Sequence, residues 1–326
     1  MRIIKPSATL MEHNVTPYEF IERVGRTCYK SEDSITEGSA ERFVASLVKR
    51  EHMAMLEHET IYLVMSYDFM EDFLWEMKEV DEHLNFFNIT HKDSANVLSG
   101  SFRSFYDLFG RCASTYTLEY IKRGLKFAYP LVFERFMDAH FFKNYTEESC
   151  VLYTRQEFID KFSSKPEVLF KHLTHTFKFV CDRGVTHEFV RHRVASFAQE
   201  STRYCNYCKD KFGNEITVIE PCFWGVGSTI YLYKEWFNQC FSAEKSYFRL
   251  IEMGATPQEA RSVLPNSLKT ELIVTATEEE WQHIVNLRYL GTTGAPHPQI
   301  KEVMGFAIAD IVITTKGRVN LDKGAK

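Results

Sequence analysis

The run Leu268-Lys269-Thr270-Glu271-Leu272-Ile273-Val274-Thr275-Ala276 passes into Thr277-Glu278-Glu279-Glu280-Trp281 without a glycine or proline between them. The first nine residues are rich in strand formers. Thr277 with Glu280 three positions later has the form of a helix capping box. A strand is therefore expected to turn directly into a helix carrying Trp281 to Leu290. The same start signal recurs at Thr16-Pro17-Tyr18-Glu19 and at Thr256-Pro257-Gln258-Glu259, with proline at the first helical position each time. Phe20, Ile21 and Val24 continue the first of these helices, and Phe43, Val44, Leu47 and Val48 mark a second from about Ser39. MRIIKP, IYLVMSY (61–67) and EITVIEP (215–221) read as strands, and Tyr231 to Met253 as a long helix ended by Gly254. Strands and helices occur without regular alternation. The expected class is α+β, a mixed sheet packed with helices, rather than a doubly wound fold.

The middle of the chain, roughly 67–180, reads as mostly helical and unusually aromatic (DFLWEM, LNFFNI, SFRSFYDLF, AHFFKNY). It holds no linker-like stretch, internal repeat or low-complexity tract. With 27 Phe and 16 Tyr among 326 residues the chain can bury a sizeable core, which excludes disorder. Lys and Arg number 39 against 44 Asp and Glu, a net charge of −5. That balance argues against binding to nucleic acid or anionic membrane by overall charge, and leaves room only for a local basic pocket. No signal peptide is expected at the start, and no run reaches the length of a membrane helix. The 8 cysteines, spread along the chain, are expected to be reduced thiols in the cytoplasm.

The densest chemistry lies in GVTHEFVRHRVASFAQESTRYCNYC, from Gly184. Arg191, Arg193 and Arg203 fall within thirteen positions, and Ser196, Gln199, Ser201 and Thr202 add hydroxyl and amide groups. Guanidinium groups bind phosphate as a fork and keep their charge in a pocket, so the segment suits an anionic, hydrogen-bonding ligand. A solvated basic turn is the plain alternative. Arg288 falls seven residues after Trp281 and four after Ile284, on the apolar stripe of its helix. A charge there needs a partner: an intrachain salt bridge, or a ligand in a pocket. Cys205-x-x-Cys208 lacks a second cysteine or histidine pair, so no metal site is expected. GVGS (225–228) lacks the third glycine of a dinucleotide cradle, and no P-loop occurs.

Arg191-His192-Arg193, seven further residues and Ser201 form the signature of the flavin-dependent thymidylate synthases, and RHRVASFAQESTRY resembles that family almost letter for letter. GRTCYKSED (25–33), KREHMAMLEH (49–58), ARSVLPNSLKT (260–270) and EEEWQHIVNLR (278–288) resemble its terminal parts in the right order. The resemblance implies one domain over 1–326, a homotetramer with active sites at subunit interfaces, and FAD as cofactor. It implies dUMP as substrate, methylenetetrahydrofolate as carbon donor, NADPH as reductant and dTMP as product, with no attacking cysteine. Carried over by position, Arg191, His192 and Arg193 would contact flavin, as would His52, Glu57, Gln199, Thr277, Glu279 and His283. Glu188, Arg191, Gln199, Glu200, Ser201, Thr202, Arg203 and Arg261 would surround dUMP. Arg288 matches the arginine that binds and activates the pyrimidine.

Ala54 stands where some members have a hydroxyl residue beside FAD, and Glu188 where some have glutamine. From His58 to Arg191 the chain is much longer than in compact members, so an insertion at roughly 67–180, mainly helical, is expected. SGSFRSF (99–105) resembles a segment of longer members. Pro221-Cys222 resembles the nucleophile dipeptide of the cysteine-dependent synthases, but its surroundings do not support the match. Two other readings compete: a nucleic-acid-binding protein using the RHR segment, which net acidity disfavours, and a catalytically inactive member. Retention of Arg191, Ser201, Arg261 and Arg288 together disfavours the latter.

Overall fold

In chain order, strands β1 (Arg2–Ile4) and β2 (Ser7–Met11) lead into helices α1 (Pro17–Tyr29) and α2 (Ser39–Lys49). A 3-10 turn (Met53–His58) precedes β3 (Thr60–Met65) and α3 (Tyr67–Glu76). Next come β4 (Phe87–Thr90), β5 (Val97–Ser101), α4 (Phe102–Arg111), α5 (Tyr116–Ala128) and α6 (Pro130–Phe133). They are followed by β6 (Cys150–Tyr153), α7 (Arg155–Lys161), α8 (Pro166–His172), β7 (Thr174–Asp182) and α9 (Arg183–Phe189). The remainder is β8 (Ser196–Gln199), β9 (Thr217–Ile219), α10 (Ile230–Glu252), α11 (Pro257–Ala260), β10 (Lys269–Thr277), α12 (Glu278–Val285) and α13 (Pro298–Thr314). The computed structural model describes residues 1–78, 85–91, 95–138, 145–203, 205–209, 212–224 and 229–322.

The expected α+β class is what the structure shows. One four-stranded antiparallel sheet has the order β2-β7-β10-β8. Its spine is the β7–β10 pair, in register from Lys269 opposite Asp182 to Thr277 opposite Thr174. Phe177, Phe179, Leu272 and Val274 pack on one face with Trp281, Ile284 and Val285 of α12 and Ile300, Val303 and Met304 of α13. Ile273 and Ala198 face Phe20, Val24 and Cys28 of α1, while Ile21, the third residue of the expected stripe, is buried with Val44 and Leu47 of α2. Trp281 is fully buried, and its indole N–H donates to the His175 carbonyl at 3.0 Å. The capping boxes at Thr16 and Thr256 form as read.

A second antiparallel sheet has the order β4-β5-β3-β6. One side buries Leu63, Met65 and Leu98 against Phe69, Phe102, Phe105 and Ile121. On the other, Tyr62 and Val97 meet Phe158, Val168 and Leu169. The middle of the chain thus carries short strands among its helices, which local pattern does not reveal. Apolar runs of four or five residues fit either state, and here pairing on β3 decides. β7, at the end of this region, belongs to the first sheet. β1 and β9 pair in parallel, with their side chains against Cys240 and Tyr247 of α10. Among the described residues no helix is long and apolar enough to cross a membrane.

Histidines thread the seams between these layers. His13 Nε2 lies 3.1 Å from the Thr176 hydroxyl, which lies 2.8 Å from that of Thr275, itself 2.7 Å from His58 Nδ1. His172 sits between Thr90 and Ser99 at 2.7 and 2.8 Å. Burial pushes His58 and His172 down to about 3 and His175 down to about 4, and lowers His13 as well. Folded, these rings stay neutral at pH values where the unfolded chain takes up protons. Their contribution is complete above about pH 6.5 and declines as pH falls through 5, by at most about 1.4 kcal/mol per unit for each ring. The urea midpoint should therefore drop between pH 7 and 5, and His172→Asn should flatten that slope. An unchanged midpoint in the parent would contradict the neutral burial of these groups.

Candidate active site

The RHR segment is a tight turn between α9 and β8. The Asp182 carboxylate caps α9 by accepting from the Val185 N–H at 2.8 Å. After Phe189 the chain reverses: His192 N–H donates to the Phe189 carbonyl and Ala195 N–H to that of His192, both at 3.0 Å. This geometry buries His192 and leaves Arg191 and Arg193 exposed on either side. Among the described residues neither guanidinium has a hydrogen-bond or ion-pair partner. Val190 and Val194 beside them are exposed too.

Opposite this turn stands α12 and the π turn (Asn286–Leu290) that continues it. Trp281, Ile284 and Val285 are buried as the stripe required. The wider π turn then leaves Arg288 at the rim of the core, with its side chain 19% exposed. Gly291 closes the turn at φ +70°, where an added Cβ would lie 2.8 Å from Pro296 and 2.9 Å from the Gly294 carbonyl. Arg288 meets the requirement for a partner three times over. Its Nη1 donates to the Glu188 carboxylate at 3.1 Å, Nη2 to the Glu188 carbonyl at 3.0 Å, and Nε to His192 Nε2 at 3.1 Å. His192 Nδ1 lies 3.0 Å from Glu280, and the exposed His283 ring stands 5.4 Å from that of His192.

The capping box expected at Thr277 is only half made. The buried Thr277 accepts from Glu280 N–H at 3.3 Å, but the Glu280 carboxylate turns to His192 instead of back along the chain. Glu279, next to it, is exposed.

At the far end of β8 lies a second group. Glu200 is buried and accepts from Lys269 Nζ at 2.9 Å, with Lys30 Nζ at 3.9 Å. Lys269 also donates to Glu271 at 2.7 Å, and Lys30 is ion-paired with Glu271. Burial alone would raise the Glu271 carboxyl, but the two lysines hold it down at about 2. Ser201 N–H donates to the Cys28 carbonyl at 3.2 Å, and Arg261 Nη1 to the buried Thr202 hydroxyl at 3.3 Å. Gln199 turns to Thr186 and Thr270, while Arg203 lies exposed just beyond.

A third group sits on the 3-10 turn Met53–His58, which packs along β8. His52 is exposed at its start, 3.5 Å from the Tyr29 hydroxyl. Glu57 near its end accepts from Arg103 of α4. Arg103 belongs to SGSFRSF and was not singled out as a site residue; neither were Lys30, Lys269, Glu271 or Glu280.

The structure therefore gathers Glu188, His192, His283 and Arg288 at one end of β8, and Glu200, Thr202 and Arg261 at the other. A four-residue strand spans about 13 Å. Among the described residues no hydrogen bond or ion pair joins Arg288 to Ser201, Thr202 or Arg261.

Residues 131–310, more than half of the chain, match the family model described as thymidylate synthase complementing protein. The chain belongs to this family. Within it, the chain is similar to the flavin-dependent thymidylate synthase of Pyrococcus horikoshii, 33% identical over 123 residues, or 37% of this chain and 49% of that one. The flavin-dependent thymidylate synthase of Geobacter sulfurreducens is 31% identical over 134 residues, 40% of this chain and 55% of its own. The chain spans about half the length of the curated relatives it matches. A solved UMP/dUMP methylase from Streptomyces cacaoi, bound with 5-Br dUMP, aligns over 98% of this chain at 15% identity and a TM-score of 0.38. That likeness is too slight to carry an argument.

The partly buried group of Lys30, Glu200, Lys269 and Glu271 yields a direct expectation. With its carboxyl held at about 2, Glu271 contributes stability that is present above its ordinary value of 4.5 and lost as pH falls toward 2. Lys269→Met should cost about 3–5 kcal/mol at pH 7, leaving Glu200 to Lys30 and Glu271 to Lys30 and, at 3.7 Å, Lys178. Urea unfolding should show the deficit shrinking below about pH 4.5, and a deficit independent of pH would refute the pairing.

Proposed function

We propose that this chain is a flavin-dependent thymidylate synthase. In this reading it methylates dUMP to dTMP, with methylenetetrahydrofolate as carbon donor and NADPH as reductant by way of FAD. The observation that carries the reading is the convergence of the RHR turn on Arg288 in a chain of the thymidylate synthase complementing family.

The residues fit a flavin dinucleotide. Two exposed guanidinium groups without partners among the described residues, Arg191 and Arg193, match the charge of a diphosphate. The exposed Val190 and Val194 offer apolar contact beside them. His52, Glu57, Gln199, Thr277, Glu279 and His283 would supply the remaining polar contacts to FAD, with His192 beneath. Bound there, the flavin supplies the redox chemistry.

The chain's own part is binding and polarisation. Arg288 presents a planar fork whose acceptors are now the Glu188 carboxylate and carbonyl. In the substrate complex the uracil carbonyls take the place of the carboxylate. Charge developing on the ring strengthens that contact in the transition state, which is where binding energy accelerates a reaction. Ser201, Thr202, Arg203 and Arg261, with Gln199 and Glu200 behind them, would hold sugar and phosphate. In this reading no thiol attacks; partial desolvation and the neighbouring Glu302 push the exposed Cys222 thiol up, away from the thiolate form.

The separation of Arg288 from Ser201 and Arg261 within one chain supports a site completed by a second copy, as in a homotetramer. Phe237 and Phe241, stacked one turn apart on α10 and exposed, support the same assembly.

Purified protein should be yellow, with flavin absorbance, and should form dTMP from dUMP. A colourless protein that binds nucleic acid would overturn the reading. His192→Ala should lose FAD on gel filtration, and Cys222→Ala should keep dTMP formation. Arg288→Ala should weaken dUMP binding by about 2–3 kcal/mol, the scale of a charged hydrogen bond, with FAD content kept. Arg288→Lys should restore only part, because an ammonium lacks the planar fork. Parent-like dUMP binding by the alanine variant would make Arg288 a structural ion-pair residue.

A further inference from the structure

Glu280 occupies the third position of α12, where a glutamate ordinarily returns to the backbone of its own cap. Glu19, Glu157 and Glu259 do so, accepting from the N–H of Thr16, Thr154 and Thr256 at 2.9, 2.8 and 2.7 Å. Glu280 instead meets His192 Nδ1 at 3.0 Å, while Arg288 Nε meets His192 Nε2 at 3.1 Å. A carboxylate can only accept, so Nδ1 carries the proton. A guanidinium can only donate, so Nε2 offers its lone pair. The two bonds demand the same neutral tautomer, and each is lost in the other one.

We infer that Glu280 is a positioning residue: it fixes His192 as the Nδ1–H tautomer, and through it the plane of the Arg288 guanidinium. His192 then anchors Nε from below while the Glu188 carboxylate at Nη1 is exchanged for a ligand. The hydrogen bond at one ring nitrogen sets the role of the other, as in second-layer carboxylate–histidine pairs. The inference rests on reading Arg288 as the pyrimidine-binding arginine.

A metal ion is the competing use of these side chains, because ligand atoms of His192, Glu280 and His283 lie within 4.8 Å of one another. A metal on Nδ1 would force the proton onto Nε2, setting N–H against the Arg288 Nε–H and placing a divalent charge beside a guanidinium. The observed Arg288 bond therefore favours the tautomer lock.

The test uses the full chain labelled with 15N-histidine, with His192→Asn assigning the signal. The parent should show His192 protonated at Nδ1. Glu280→Ala leaves only the Arg288 bond to favour Nδ1–H, so it should raise the Nε2–H fraction above the parent's and weaken dUMP binding about tenfold, equivalent to about 1.4 kcal/mol, with FAD content unchanged. Glu280→Gln should restore tautomer and affinity, since its amide oxygen still accepts from Nδ1–H. An Nε2–H fraction in Glu280→Ala no higher than the parent's overturns the lock, as does a shifted tautomer with parent-like dUMP affinity. Zinc coordination to Nδ1 of the parent at micromolar metal overturns it in favour of a metal site. Failure of the site reading shows separately: Arg288→Ala then binds dUMP like the parent, whatever the histidine spectrum reports.

Discussion

The antiparallel ladder between β7 and β10 is the constraint on which the rest depends. Nine residue pairs hold it in register, and a slip of one would exchange its two faces. The ends of these strands continue directly into helices: Asp182 caps α9 and Thr277 caps α12. The two helices therefore leave opposite ends of one rigid ladder. The residues that follow each of them, the RHR turn and Arg288, meet because both strands and both helices have defined lengths.

Charge burial around that ladder is resolved in two ways. Away from the RHR turn, acids and bases satisfy one another. The Lys269–Glu271 pair with Glu200 and Lys30 is one such group, and the buried Glu278 between His175 and Arg318 is another. Burial would raise the Glu278 carboxyl, but bonds from Arg318 and His175 hold it below its ordinary value. At the RHR turn the balance is left open. His192 is buried and fully bonded, yet the guanidinium groups on either side face solvent. In the proposed reading these cations, without partners among the described residues, are the ones that would receive an anion.

Much of this was legible from residues alone. The helix starts at Thr16 and Thr256 follow from side-chain chemistry within four residues, and tertiary context left them intact. The apolar stripe Trp281-Ile284-Val285 marked the buried side of its helix, and a charge seven residues after Trp281 had to find partners. β4, β5 and β6 were not legible. Each is only four or five residues long, and their strand state comes from pairing on β3, directly or through β5, from distant parts of the chain. The capping box at Thr277 is the instructive case. Spacing alone assigned Glu280 to its own backbone, while His192, eighty-eight positions away, competes for the same carboxylate and wins.

By itself the sequence determined the α+β class, the helix boundaries set by local caps, and the family, through a motif whose residues are all close in the chain. It also determined that Arg288 could not stay unpaired, because burying a lone guanidinium is too costly in any fold. Only the tertiary structure decided which groups answer that need, and that Arg288 and Ser201 lie at opposite ends of β8. The reason is physical: caps and periodicity act over one or two helical turns, whereas the partner of a buried charge is set by which strands pair and how long they run.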